Sequence, residues 1–189
     1  IDELLDLNFT LVPTFTIYEA NRDVMRERNA EWHEDYTLPA LMRFFEPDPR
    51  LHGSYHFDWT TGMEVAWRVN FSRWISFNYD FKNAGGRVAA GSDSGFIYKL
   101  FGFGYIRELE MLQEAGFHPL EVVQAATRNG AELLGMEDQI GSISPGKRAD
   151  IVLVEGNPVS NFKLLYGTGH MKLNRDTGCL LYTSPSPRD

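Results

Sequence analysis

The residues best placed to do chemistry lie in one short run, Gly91-Ser92-Asp93-Ser94-Gly95. Gly85-Gly86 ends whatever precedes it, and Arg87–Ala90 then reads as a short strand of small residues. The run leaves one carboxylate, Asp93, at the C-terminal end of that strand. In α/β barrels and open α/β sheets, the C-terminal ends of strands are where reacting groups sit. Flanking glycines let backbone and ligand approach closely. Taken on spacing alone, the same run is also a structural Asx turn.

The five histidines are the other candidates. His52 and His56 stand four residues apart, a spacing that holds a metal when it falls on a helix. Gly53 and Ser54 between them argue against that helix. His33 lies in a polar run and is expected to be solvated. His118 precedes a proline that opens a helix, which predicts a structural role. His170 is uninformative.

These groups need elements to hold them. Ile1–Leu7 reads as helix. Phe9–Thr16 is β-branched and aromatic with strand-like alternation, and Pro13 is expected near its end. Thr14, Thr16, Tyr18 and Glu19 would then emerge at or past that end. Asn21–Gly62 is a long excursion: Val24–Glu34 suits an exposed helix, and Pro39–Phe45 a second with proline at its first position. Its many aromatics fit either a pocket wall or a satellite core. Met63–Ala84 is an amphipathic helix, with Trp67, Phe71 and Trp74 on one face. Strand, helix, strand in that order is a parallel crossover. Helices are expected over Tyr105–Ala115, from Pro119, and over Gly130–Leu134. Ile140–Gly146 reads as strand and turn, and Ile151–Val154 as a buried strand.

The chain has 189 residues, 43% of them hydrophobic and 23% charged, an ordinary globular composition. Net charge is −8 and no basic block occurs, so neither nucleic acid nor a membrane is an expected partner. No apolar run is long enough to span a bilayer. Ile1 falls inside an apolar helical pattern, as if the chain began mid-element. Cys179–Asp189 has no periodicity and reads as a translated sequencing-adapter tail, the alternative being a natural Pro/Ser-rich tail. Setting it aside removes the single cysteine and any thiol mechanism.

Three stretches resemble the amidohydrolase superfamily, the metal-dependent hydrolases built on a (β/α)8 barrel. Gly91–Gly95 looks like its strand-eight signature. Gly116–Gly135, reading Gly-Phe-His-Pro-Leu-Glu-Val-Val-Gln-Ala-Ala-Thr-Arg-Asn-Gly-Ala-Glu-Leu-Leu-Gly, looks like the helices that follow. Gly141–Val154 looks like the chain's return to a small β-sandwich. The flavour is that of the imidazolonepropionase- and prolidase-like branch. Phe9–Thr16 fits strand seven, whereas the excursion to Gly62 is not a general family feature.

The resemblance implies an α/β fold. Residues 1–139 would be the C-terminal part of a TIM barrel, about strands seven and eight with their helices. Residues 140–178 would be part of the β-sandwich, and 179–189 the non-native tail. A whole barrel needs roughly 250 residues. By the family pattern, the missing part holds a His-x-His pair, a lysine and two further histidines. Of the metal site only Asp93 would remain here, as metal ligand and proton shuttle. The implied cofactor is a divalent metal, zinc expected, with one or two ions in the intact parent. Its activated water would hydrolyse a carbon–nitrogen bond of a small-molecule substrate: a non-peptide amide, a lactam or a dipeptide-like bond. Thr16, Tyr18, Ser94 and Tyr98 are the candidate substrate-binding residues. Packing is the expected role of Phe96. The rival expectation is a non-catalytic fragment, or a binding domain on the same fold, inactive without those upstream ligands.

Overall fold

The computed structural model describes residues 1–166, 171–174 and 179–182, the last two stretches as backbone only. The chain opens with α1 (Asp2–Asp6) and a short strand β1 (Thr10–Leu11). Pro13 then removes one N–H, and Thr14 takes a left-handed φ of 49°. The chain reverses into α2 (Phe15–Arg22) instead of continuing as the strand expected to Thr16. That expectation missed a tertiary effect. The first two amides of α2 have no partner in their own helix, and the Glu108 carboxylate, 92 or 93 residues away in sequence, accepts both.

The excursion forms three short helices, α3 (Val24–Arg28), α4 (Trp32–Tyr36) and α5 (Pro39–Phe45). Val24–Glu34 is therefore two helices rather than one. Its inner side is not exposed: Val24, Glu27 and His33 are all buried. Pro39 opens α5 as its position predicts, since a first-turn residue needs no N–H partner. The long helix α6 (Thr61–Asn83) follows, with the Thr60 hydroxyl accepting from the Met63 amide at its start. It leads through Gly85, at φ 93°, into β2 (Arg87–Val88). β2 pairs parallel with β1, Thr10 opposite Arg87 and Leu11 opposite Val88, and the Ala89 amide extends the ladder to the Leu11 carbonyl. The strand–helix–strand crossover thus forms as read.

Three helices complete the body: α7 (Phe103–Glu114), α8 (Pro119–Ala126) and α9 (Arg128–Leu133). His118 has the structural role expected of it. Its Nδ1 accepts from the Leu120 amide, while Glu121 accepts from the His118 amide. Leu11, Phe15, Phe81, Val88, Leu112 and Val122 lie in one core between the strands and α2, α6, α7 and α8. A second core joins Ile17, Ala20, Val24 and Phe45 to Ile97 and Tyr98 of the loop after β2. The aromatics of the excursion therefore build a satellite core. Phe45 and Tyr98 alone each stabilise that docking by roughly 1.5–3 kcal/mol through burial.

Residues 140–154 differ from expectation. They contain no strand, and Ile151, Val152 and Leu153 are 55%, 79% and 93% exposed. A strand needs a partner for its backbone groups, and none pairs with this run among the described residues. The β-sandwich portion does not form there. Farther on, β3 (Met171–Asn174) pairs antiparallel with β4 (Cys179–Tyr182), so the first four residues of the expected adapter tail are hydrogen-bonded to the chain before them. No helix among the described residues is long and apolar enough to cross a membrane.

Candidate functional site

The C-terminal ends of β1 and β2 lie side by side, and glycine permits it. A Cβ on Gly91 would stand 2.6 Å from Val12 Cγ1, inside any real contact distance. Beyond Gly91 the chain turns sharply. Asp93 is exposed and sits at φ 48°, in the left-handed region that side-chain-bearing residues rarely enter. The Ser92 and Ser94 hydroxyls meet across it at 2.9 Å. No hydrogen bond or ion pair reaches the Asp93 carboxylate among the described residues. Ile97 and Tyr98 also have positive φ, 46° and 61°. Three such residues in six store local strain of the kind that clusters at working sites.

Strain of this kind persists only where the surroundings over-determine it, and here they do. The Gly95 amide donates to the Lys99 carbonyl at 2.8 Å, and the Ile97 amide to the Gly53 carbonyl at 3.2 Å. Lys99 is buried and reaches into the excursion, with Nζ 3.2 Å from Glu19 and 2.7 Å from Glu27. Arg107 of α7 closes on Glu19 at 2.6 Å. Burial pushes the Glu19 carboxyl up. The Arg107 hydrogen bond and the Lys99 and Arg107 charges outweigh it and hold Glu19 down at about 2.

Behind the Asp93 loop lies Glu108, fully buried on α7. Its oxygens accept the Phe15 amide at 2.9 Å and the Thr16 amide at 2.8 Å, and the Thr16 hydroxyl lies 3.0 Å away. The same hydroxyl reaches the Ser92 carbonyl at 2.9 Å. Burial pushes the Glu108 carboxyl up to about 7, against the pull of the Thr16 and Phe15 donors. Sequence reasoning passed over Glu108. The signal was there: an acid interleaved with Gly104, Met111 and Leu112 on the inward face of an amphipathic helix.

The other expected site residues fall differently. Thr16 is buried and bonded internally. Tyr98 is 1% exposed, its ring against His33, His56 and Phe45. Burial raises its hydroxyl above the usual range, and among the described residues that hydroxyl has no hydrogen-bond partner. Tyr18 is half-buried, stacked on Trp67 at 5.4 Å and edge-on to Trp74. Ser94 stays beside Asp93, half-buried, and Phe96 packs on His52 and Tyr55. His33 is not solvated: Thr37 Oγ1 and the Glu27 carbonyl take its two ring nitrogens at 2.7 and 2.9 Å. His52 and His56 lie in turns rather than on a helix. His52 bonds the Tyr55 hydroxyl at 2.8 Å, and His56 is buried against Tyr98.

Comparison with known proteins decides the family. Residues 76–174, just over half of the chain, match the amidohydrolase family. The chain belongs to the amidohydrolase family. The matched segment contains β2, the Asp93 loop and helices α7 to α9. Among curated relatives, adenine deaminase 4 of Rhizobium meliloti is 41% identical over 56 residues, 30% of this chain and 9% of that protein. The 5-methylthioadenosine/S-adenosylhomocysteine deaminase of Teredinibacter turnerae is 49% identical over 35 residues, 18% of this chain and 8% of that protein. Among solved structures, a Xaa-Pro dipeptidase with bound methionine in its active site superposes with a TM-score of 0.60 at 21% identity. The superposition takes in 96% of this chain and 36% of that one. At that identity the likeness shows the fold alone. This amidohydrolase chain thus spans about a third of that structure and under a tenth of those deaminases.

Amidohydrolases as a family work with a divalent metal. A catalytic zinc takes about three protein ligands. Among the described residues of this member no group of three or more His, Cys, Asp or Glu side chains is gathered to hold an ion. The described residues therefore do not fit a metal centre by themselves. What they present is one exposed, unpartnered carboxylate on a braced turn.

Proposed function

We propose that this chain is the C-terminal barrel portion of a larger amidohydrolase that hydrolyses carbon–nitrogen bonds, and that Asp93 is its contribution to the reacting centre. The observation that carries the reading is the Asp93 turn. A carboxylate stands exposed at the end of a parallel strand, at φ 48°, with its neighbours' hydroxyls paired to each other instead of to it. A carboxylate left free in this way can take a proton from an attacking water and pass it to a leaving nitrogen. Deaminases among the similar proteins support a carbon–nitrogen bond as the target. The remaining ligands for a metal, zinc by expectation, would come from the rest of the larger protein.

The test is the full-length parent with Asp93→Asn. Hydrolysis is followed on a purine and on a dipeptide ending in proline, with bound zinc counted per chain. The reading expects a loss of turnover of about 10²–10⁴-fold. Near-normal turnover by a folded Asp93→Asn parent would remove the role of Asp93. A wild-type parent that neither binds zinc nor hydrolyses any carbon–nitrogen substrate would favour a non-catalytic barrel.

A further inference from the structure

We propose that Thr16 and Glu108 are the positioning residues of Asp93: the Glu108 carboxyl sets the first turn of α2, and the Thr16 hydroxyl on that turn holds the peptide that carries Asp93. The importance of Asp93 rests on the function proposed above, whereas the relay rests on geometry alone.

The Ser92 carbonyl belongs to the Ser92–Asp93 peptide, so fixing that oxygen fixes the plane from which the Asp93 φ is measured. Asp93 occupies a region that costs an ordinary residue energy, and a short acid tolerates it best. Left to itself the turn would relax. The Ser92–Ser94 hydroxyl pair is only half-buried. The Thr16 hydroxyl is different. It is fully buried, and its oxygen lies 2.9 Å from the Ser92 carbonyl and 3.0 Å from Glu108. Cut off from water, it keeps its protein partners or loses a hydrogen bond outright.

Glu108 explains why Thr16 is there. A bare helix start leaves its amides unpaired, and Thr14 at the start of α2 provides no side-chain cap. The Glu108 carboxyl takes the Phe15 and Thr16 amides instead, from another helix. A buried carboxyl is costly unless bonded, and an aliphatic side chain would fill the same space. Its role here is directional. It orients α2 so that one hydroxyl meets one carbonyl at the base of the Asp93 turn.

The experiment is NMR on the 189-residue chain, reading the HN–Hα coupling and Cα shift of Asp93, which report φ, beside amide exchange at Phe15, Thr16 and Ala89. Thr16→Val should move the Asp93 coupling toward that of extended or averaged backbone, while Ala89 exchange, which reports the β1–β2 ladder, stays as in the wild type. Thr16→Ser, which keeps the hydroxyl, should restore the wild-type coupling. Glu108→Gln should speed exchange at Phe15 or Thr16 by about tenfold and shift Asp93 in the direction that Thr16→Val does. An unchanged Asp93 coupling in Thr16→Val overturns the proposal. So does a Thr16→Ser chain that behaves like Thr16→Val, because the retained hydroxyl would then not be what holds the turn. These readouts need neither metal nor turnover, so a parent that fails to hydrolyse leaves the relay standing, and a failed relay leaves the hydrolysis test intact.

Discussion

Lys99 Nζ lies 3.2 Å from Glu19 Oε2, and both side chains are buried. This pair joins the loop after Asp93 to α2, and Glu27 joins it from the excursion at 2.7 Å. Ion pairs out of water are weak evidence for stability, but breaking one is costly because a charge is left behind. Lys99→Met should therefore destabilise the chain by about 3–5 kcal/mol in urea unfolding. The double variant Lys99→Met, Glu27→Gln, which leaves Glu19 on Arg107, should lose less than Lys99→Met alone. Additive losses would mean that Lys99 and Glu27 are not coupled.

Glu108 and Glu19 set opposite limbs of the stability profile. The Glu108 carboxyl rises from 4.5 to about 7 because burial disfavours its charge. The folded state then binds its proton more tightly than the unfolded state does. Its contribution is full below pH 4.5 and is lost as pH rises through about 7, a span of about 3 kcal/mol. Denaturation midpoints across that window should fall in the wild type and flatten in Glu108→Gln. Equal slopes in the two proteins would mean that Glu108 does not titrate in this range.

Glu19 runs the other way. Burial opposes its charge, but the Arg107 and Lys99 contacts prevail and hold it at about 2, below the ordinary 4.5. Its contribution is present above pH 4.5 and is lost as pH falls through about 2. Acid unfolding of Glu19→Gln should be flatter than that of the wild type over that range. A wild-type acid limb retained in the variant would place the titrating group elsewhere.

Asp93 should separate folding from chemistry. It is exposed with no partner among the described residues, so Asp93→Asn should change stability by no more than about 0.5 kcal/mol. Asp93→Val should cost about 1–2 kcal/mol, because a β-branched side chain suits a φ of 48° poorly. Thermal unfolding of both variants checks this. Equal losses would mean that the carboxylate has a folding role.

Gly91 is the steric hinge of the two strand ends. Gly91→Ala drives a methyl into Val12 and should cost about 1–3 kcal/mol. Adding Val12→Ala should recover part of that loss, and a double variant no better than Gly91→Ala would locate the clash elsewhere.

Much of this protein was determined by its sequence alone. Alternation over Phe9–Thr16, a long amphipathic stretch over Met63–Ala84 and a small-residue strand at Arg87–Ala90 suffice to predict a parallel crossover, because each is a local pattern. The family was legible for the same reason: Asp93 and the helices after it form a contiguous run. Tertiary structure decided what distance in sequence conceals. Thr16 reads as a strand-end residue until Glu108, 92 positions later, captures its amide and turns it inward. Glu19 reads as a residue past a strand end until Lys99, 80 positions later, is buried against it. Ile151–Leu153 reads as a buried strand because its composition is right, yet it lies exposed, since a strand is made by the partner beside it. Periodicity is a property of neighbours along the chain. Burial, capping and pairing belong to neighbours in space, and they settled the surroundings of the Asp93 turn.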